Sequence, residues 1–137
     1  MIKAFKGKYY FLSNFYEAPV TWEGITYQNN EAAFQSAKVT SGDRKAFAEL
    51  NPSDAKKLGR QVSLREDWES IKDCVMYEVC KAKFTQNEDL KEKLLATGND
   101  LLEEGNTWGD KTWGTVDGVG ENRLGKILMR IREEVKE

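Results

Sequence analysis

Apolar residues recur at helical spacing over much of the 137-residue chain. Recurrence every three or four residues is typical of an amphipathic helix with one buried face. Two such stripes are prominent: Trp68, Ile71, Val75, Val79 and Ala82, and later Leu124, Ile127, Leu128, Ile131 and Val135. The pattern predicts a long helix from about Asp67 to Phe84 and a final helix that begins near Asn122.

Shorter helices are indicated by their start and stop signals. They are predicted from Asn29 or Asn30 to about Thr40, over residues 43–50, from Asn51 to Gly59, and from Asn87 to Gly98. In the third, Asn51 is the cap, Pro52 occupies the first turn, and Gly59 stands just past the end. Asparagine suits these starts because its side-chain oxygen accepts a hydrogen bond from a free backbone N–H.

The N-terminal region has the pattern of strands instead. The segment YYFLSNFY is rich in aromatic residues, and PVTWEGITY is typical of a hairpin that turns at Glu23-Gly24. The predicted fold class is therefore α+β: a mainly helical single domain, residues 1–137, with a small antiparallel β-sheet. A chain of this length can bury roughly two-thirds of the surface that its unfolded form exposes.

Charge and hydropathy limit the classes of function. The net charge of −2 argues against a protein that holds nucleic acid by bulk electrostatics, although a local basic patch remains possible. No apolar run approaches the roughly 20 residues that span a bilayer. The N-terminus has no apolar core of a signal peptide, so we expect a cytoplasmic protein.

The chain contains no histidine, and this restricts its chemistry. Catalytic Ser-His-Asp and Cys-His systems in their usual form are excluded. The two cysteines cannot fill a structural zinc site alone. We therefore expect no metal and no cofactor, and any reaction must use Asp, Glu, Lys, Arg, Tyr, Asn or backbone groups.

The segment NNEAAFQSAK places a polar row on one helix face. Glu31, Gln35 and Lys38 stand at i, i+4 and i+7, with Phe34 beside them. Such a row can be a solvated stripe with an i,i+4 pair. It can also be a pocket wall, because alanines beside it supply an apolar face. In that case, a carboxylate and an amine at its two ends could address one ligand.

The segment NTWGDKTWGTVDGVGENRLG combines tryptophan, acidic residues and glycine. Two readings stay open for Trp108 and Trp113: anchors in the core, or walls of a pocket that stacks a planar base and holds a sugar. Gly118 and Gly120 precede a helix, where free backbone N–H groups bind anions, but a tight turn would explain them equally.

These residues resemble the NADAR, or YbiA-like, family almost from end to end. The matching pieces are FLSNFYEAPVTWEGITYQNNEAAFQSAK, AKKLGRQVSLREDWESIKDCVMYEVCKAKFTQN and LLATGNDLLEEGNTWGDKTWGTVDGVGENRLGKILMRIR, in the order of the family. The combination of E…Q..K on one helix with WGD..WG and DG.G.N.LG is specific. No family motif is missing from the chain.

The resemblance implies an N-glycosidase that hydrolyses the C1–N bond between ribose and an exocyclic amine. One substrate class is ADP-ribose attached to the guanine amino group, in DNA or in a nucleotide, and we favour it slightly. The other is the phosphorylated ribosylamino-pyrimidines of riboflavin synthesis. A module that binds ADP-ribose without catalysis, and a structural domain that binds a partner, are the alternatives. No membrane partner is expected.

Under this resemblance, Lys38 is the nucleophile or another group that faces C1, Glu31 is the acid/base partner, and Asp110 either orients the ribose hydroxyls or acts as a second acid/base. A lysine with a lowered pKa can form a Schiff base with a ring-opened ribosyl amine. The other predicted substrate contacts are Asn14, Gln35, Arg60, Trp108, Gly109, Trp113, Gly118, Gly120 and Asn122. Arg60 and Arg65 flank QVSL, read as a short strand, and are either phosphate contacts or a surface pair.

Overall fold

The structure is a computed structural model and describes residues 1–136. Five α-helices and one two-stranded antiparallel sheet make up the regular structure of these residues. The elements are β1 Glu17–Trp22, β2 Ile25–Asn29, α1 Asn30–Ser36, α2 Pro52–Gln61, α3 Trp68–Gln86, α4 Glu88–Ala96 and α5 Arg123–Glu134, with 3-10 helices over Gly7–Leu12 and Ser41–Phe47. The predicted α+β class is confirmed. None of these helices has the length and apolar composition that crossing a bilayer requires.

The described residues form two compact units. The hairpin unit comprises Asn14–Asn87, and the terminal unit comprises residues 1–13 together with 88–136. The hairpin unit holds β1, β2 and α1 to α3, whereas the terminal unit holds α4 and α5. The assignment of residues 1–137 to one domain stays a prediction.

The β-hairpin begins the hairpin unit. Val20 pairs with Tyr27 and Trp22 with Ile25, and alternate residues of β1 are buried. Glu23 and Gly24 both have positive φ, 49° and 84°. Two left-handed residues give the turn whose twist matches that of the strands. The predicted hairpin and its turn are therefore confirmed.

Two of the predicted helix starts are confirmed by their caps. The Asn29 side chain accepts a hydrogen bond from the Ala32 N–H at 2.7 Å, and Asn51 accepts one from the Asp54 N–H at 2.8 Å. The predicted ends are less accurate, since α1 stops at Ser36 rather than near Thr40. The helix α2 continues to Gln61, so Gly59 lies inside it and the predicted stop is wrong.

The segment QVSL was also misassigned, because Gln61 ends α2 and residues 62–64 belong to no strand. Its alternating pattern is short, and three residues cannot support a ladder without a partner strand.

In the terminal unit, α5 buries the predicted apolar stripe. Leu124, Leu128 and Ile131 are almost fully buried, as helical spacing requires. Ahead of α5, Ile2 pairs with Leu102, and Gly105 pairs with Thr115 through isolated bridges. The second bridge pairs the residue before the glycine-rich segment 106–122 with a residue inside it; we call this segment the WGD loop.

Candidate active site

The polar row of α1 is buried rather than solvated. Only 8% of Glu31 and 5% of Gln35 is exposed. The Gln35 amide donates a hydrogen bond of 2.6 Å from Nε2 to Glu31 Oε2. A buried carboxylate must be held by such donors, because removing its charge from water is costly. The reading of this row as a solvated stripe is therefore wrong.

Lys38 follows α1 and points its amine towards α2. Its Nζ lies 3.5 Å from the backbone oxygen of Gly59, to which it donates, and 6.0 Å from the ring centroid of Trp68. The Phe34 ring packs against the same Trp68 ring, with 5.2 Å between centroids. The Lys38 amine therefore lies near the Trp68 ring and near the C-terminal end of α2.

These surroundings lower the pKa of Lys38 from its ordinary value. Burial is the main cause, because the charged form loses water. The positive charges of Arg60 and Lys56 act in the same direction, while the negative charge of Glu31 opposes them. A lowered pKa gives Lys38 a larger fraction of neutral amine near pH 7. We call Glu31, Gln35 and Lys38 the α1 cluster.

The helix α2 carries two cations beside this cluster. Arg60 is exposed and Lys56 is half-buried, with its Nζ 6.0 Å from the centroid of the Phe15 ring. Because Lys56 and Arg60 stand at i and i+4, they share a face. Within residues 1–136 neither forms an ion pair. Lys56 was not among the predicted site residues, although its i, i+4 spacing from Arg60 can be seen in the sequence.

Asn14 lies under the first turn of α1. Its backbone oxygen accepts from the Glu31 N–H at 3.0 Å, and its side-chain oxygen accepts from Asn30 Nδ2 at 2.8 Å. Both side chains are buried. In the structure, Asn14 and Asn30 hold the backbone that carries Glu31. Asn14 was predicted to be a substrate contact, whereas Asn30 was predicted only as a possible helix start.

The WGD loop uses its polar groups to hold itself together. Asp110 Oδ1 accepts from the backbone N–H groups of Thr112 and Trp113, at 3.0 and 2.9 Å. Asn106 binds the backbone N–H of Asp110 through Oδ1 and the backbone oxygen of Asp110 through Nδ2. Such side chain-to-backbone bonds are typical of tight turns. The Asp110 carboxylate, which was predicted to act on the substrate, thus stabilises the conformation of this loop.

The tryptophans of the WGD loop differ in exposure. Trp108 is 63% exposed and precedes Gly109, whose φ is 87°. Trp113 is half-buried. The reading of Trp108 as an anchor in the core is therefore wrong. Exposed indole is a surface on which a planar base can stack.

The start of α5 is closed by the same loop. The backbone N–H groups of residues 122, 123 and 124 donate to the carbonyls of Gly114, Thr112 and Trp113. The Asn122 amide donates to the Leu102 carbonyl and accepts from the Glu104 N–H, both at 2.9 Å. These three backbone N–H groups are therefore not free to bind an anion. Gly118 and Gly120 have positive φ, 80° and 151°, as turns require.

The predicted site residues thus fall into two groups. The hairpin unit holds Asn14, Glu31, Gln35, Lys38 and Arg60, and the terminal unit holds Trp108, Gly109, Asp110, Trp113, Gly118, Gly120 and Asn122. Trp68 was predicted only as part of an apolar stripe, and its contact with Lys38 was not foreseen. Across residues 1–136, no three His, Cys, Asp or Glu side chains are grouped to hold a metal.

The chain is similar to known proteins in sequence and in structure. A family model described as the NADAR domain matches residues 2–136. The N-glycosidase YbiA of Escherichia coli (strain K12) is 39% identical over 130 residues, which are 90% of this chain and 79% of that protein. A riboflavin biosynthesis protein of Vibrio vulnificus is 36% identical over 93% of this chain, but this match spans only 36% of the relative.

A solved structure is also similar. The NMR structure of the Escherichia coli protein YbiA matches with a TM-score of 0.84 and 34% sequence identity. The match covers 98% of this chain and 86% of that one.

Proposed function

The chain belongs to the NADAR domain family and is a hydrolase of N-glycosyl bonds, and on this premise we propose that it cleaves the C1–N bond between a phosphorylated ribose and an exocyclic amine. The observation that carries the proposal is the α1 cluster: a buried, hydrogen-bonded carboxylate whose charge acts on a lysine with a lowered pKa just beyond the end of α1. Residues with shifted pKa values are concentrated at functional sites.

Lys38 is proposed as the nucleophile. In the ring-opened substrate, C1 is joined to the exocyclic nitrogen by a C=N bond. The neutral amine of Lys38 attacks C1, and the electron pair of the C=N bond moves to the exocyclic nitrogen, which takes a proton. The C1–N bond to the leaving amine then breaks, and C1 becomes doubly bonded to Lys38 Nζ. Water adds to C1, and release of Lys38 gives the free sugar.

Glu31 is proposed as the acid and base of this sequence. It would give a proton to the leaving amine and later take one from the attacking water. Gln35 would hold the carboxylate in place for both steps. If the ring stays closed, the same carboxylate would stabilise the positive charge that develops at C1. Asp110 remains a predicted second acid/base or ribose contact.

Arg60 and Lys56 are proposed as phosphate contacts. Both are cations without an ion pair within residues 1–136, and they flank the residue that binds the Lys38 amine. Arginine forms paired hydrogen bonds to phosphate oxygens, and lysine acts as a point charge. A phosphorylated substrate held there would also keep its ribose near Lys38.

ADP-ribose on guanine is the first candidate substrate. The exposed Trp108 supports a substrate that contains a base, because indole stacks on any planar base. A net charge of −2 is compatible with a free nucleotide or with one base taken out of single-stranded DNA.

Phosphorylated ribosylamino-pyrimidines are the second candidate. The observation in their favour is the name of the Vibrio vulnificus relative, a riboflavin biosynthesis protein. The proposed chemistry is the same, because here too an amine on a heterocycle is joined to C1 of a ribose phosphate.

A product assay distinguishes the candidates. Purified protein receives an oligonucleotide with ADP-ribosylated guanine or the ribosylamino-pyrimidine phosphate, and mass spectrometry identifies the products, with Lys38→Ala in parallel. Free ADP-ribose and restored guanine would assign the first substrate, and ribose 5-phosphate the second. Trapping by borohydride, which reduces a Schiff base, would add a stable sugar mass on Lys38. Turnover by Lys38→Ala at the normal rate would refute the proposed nucleophile.

A further inference from the structure

Gly59 lies in the interior of α2 for a reason other than backbone conformation. The helix continues to Gln61, and Gly59 is not among the glycines with positive φ. Alanine would favour the helix at this position by about 1 kcal/mol. A glycine at such a position therefore points to a need for space rather than for an unusual turn.

The space beside Gly59 is filled by Gln35. A methyl group on Gly59 would collide with Oε1 and Cδ of Gln35, and its distance from Gln35 Cβ would be 3.4 Å. The opposite end of the same amide, Nε2, is the donor to Glu31. The absence of a side chain at Gly59 thus determines the position of Gln35 Nε2, the donor to Glu31.

The backbone of Gly59 also reaches Lys38. Its carbonyl is among the last four of α2, which have no partner inside the helix and attract cations or donors. It accepts a hydrogen bond from Lys38 Nζ at 3.5 Å. A neutral amine that donates one hydrogen here keeps its lone pair available for attack.

We infer that Gly59 is a positioning residue for both groups that act in the proposed reaction. Its missing side chain admits Gln35, which orients Glu31, and its carbonyl orients the Lys38 amine. One position of α2 therefore sets the spacing between the acid/base and the nucleophile of α1. The inference rests on the proposed roles of Glu31 and Lys38.

Gly59→Ala is the direct test. The colliding atoms lie at the far end of a flexible side chain, so Gln35 can rotate away while α2 gains helix propensity. We expect a folded protein whose midpoint of thermal unfolding falls no further than that of Gln35→Ala, because both variants lose the donor to the buried Glu31 carboxylate. The turnover number should fall about 10- to 100-fold, the size of effect that a displacement of about 1 Å produces, with little change in KM.

Two further variants make the test specific. Gln35→Ala removes the donor to Glu31 and should lower the turnover number by a similar factor. In the double variant Gly59→Ala/Gln35→Ala, the loss should equal that of Gln35→Ala alone, because the added methyl group acts only through Gln35 and the carbonyl that accepts from Lys38 is kept. Lys57→Ala is the matched control, since Lys57 is an exposed residue of the same helix and should leave turnover and stability unchanged.

The outcomes separate this inference from the proposed function. A wild-type turnover number in Gly59→Ala or Gln35→Ala, while Lys38→Ala is inactive, would overturn the inference and leave the proposed function standing. Multiplicative losses in the double variant would also overturn it. If Gly59→Ala does not fold, Gln35→Ala decides the question alone. Full activity of Lys38→Ala would instead refute the proposed function.

Discussion

The α1 cluster and the WGD loop contain similar side chains but use them differently. In α1, a carboxylate and an amide are buried and bind each other. In the loop, the carboxylate of Asp110 and the amide of Asn122 bind nearby backbone groups. Under the proposed function the first arrangement holds side chains that act on a ligand, whereas the second fixes the conformation of a loop. Residue type alone therefore does not distinguish a site from a turn.

The largest effect should come from Lys38→Ala. If the amine is the nucleophile, the turnover number should fall roughly 1,000-fold or more. Lys38→Arg keeps the positive charge but cannot form a Schiff base, so it should be equally inactive. Both rates are measured by release of the sugar. An active Lys38→Arg would show that charge, and not nucleophilic attack, is what this position supplies.

In the WGD loop, Asp110→Ala should mainly reduce stability. Losing the acceptor for two backbone N–H groups should lower the free energy of unfolding by about 1–3 kcal/mol, measured by urea denaturation. Asp110→Asn keeps an acceptor oxygen at the same place and should be close to the wild type in stability. If Asp110→Asn is stable but has lost turnover, the charge of the carboxylate also takes part in the reaction. The WGD loop would then have a catalytic role as well as a structural one, and it would differ less from the α1 cluster.

Lys56→Gln should alter the pH dependence of the reaction. Only the neutral form of Lys38 attacks, so kcat/KM should rise with pH through the pKa of Lys38. Because the positive charge of Lys56 lowers that pKa, its removal should move the rise to higher pH. Below the rise, the pKa effect alone should lower kcat/KM by less than about tenfold, which corresponds to one pKa unit, and the lost phosphate contact should add a decrease that does not depend on pH. A pH profile that does not move would exclude this electrostatic effect.

The smallest effect on stability is expected from Trp108→Ala. An exposed side chain contributes little to folding, so the free energy of unfolding should change by less than about 0.5 kcal/mol. If Trp108 stacks on a substrate base, KM should rise while the turnover number stays near that of the wild type. An unchanged KM would leave the exposed indole without a part in substrate binding.

Local signals predicted much of the fold. The caps at Asn29 and Asn51 and the turn at Glu23-Gly24 depend on neighbouring residues only, and all three are found in the structure. The spacing of the α1 cluster was predicted, but its burial was not. A polar pair at i and i+4 has the same spacing whether its helix face is exposed to solvent or buried. Burial is decided by the elements that pack around α1.

Gly59 shows what a linear sequence hides. A glycine near the end of a helical pattern normally indicates a stop, and only the packing of α2 against α1 reveals that it makes room for Gln35. The hydrogen bonds that Asp110 accepts within its own loop would have been easier to predict from the sequence. An aspartate beside a turn can accept from the backbone N–H two residues ahead, but the sequence interpretation of Asp110 did not include this structural role.

All seven residues of α1 are buried, so this helix has no face in contact with solvent. Every substitution in it therefore disturbs either the packing or the proposed chemistry. Adaptation of such an enzyme to a new substrate would have to proceed through residues that still face outwards, such as Arg60 and Trp108. If the proposed chemistry holds, α1 would be inherited with few changes, and diversity among descendants would accumulate at exposed positions elsewhere in the chain.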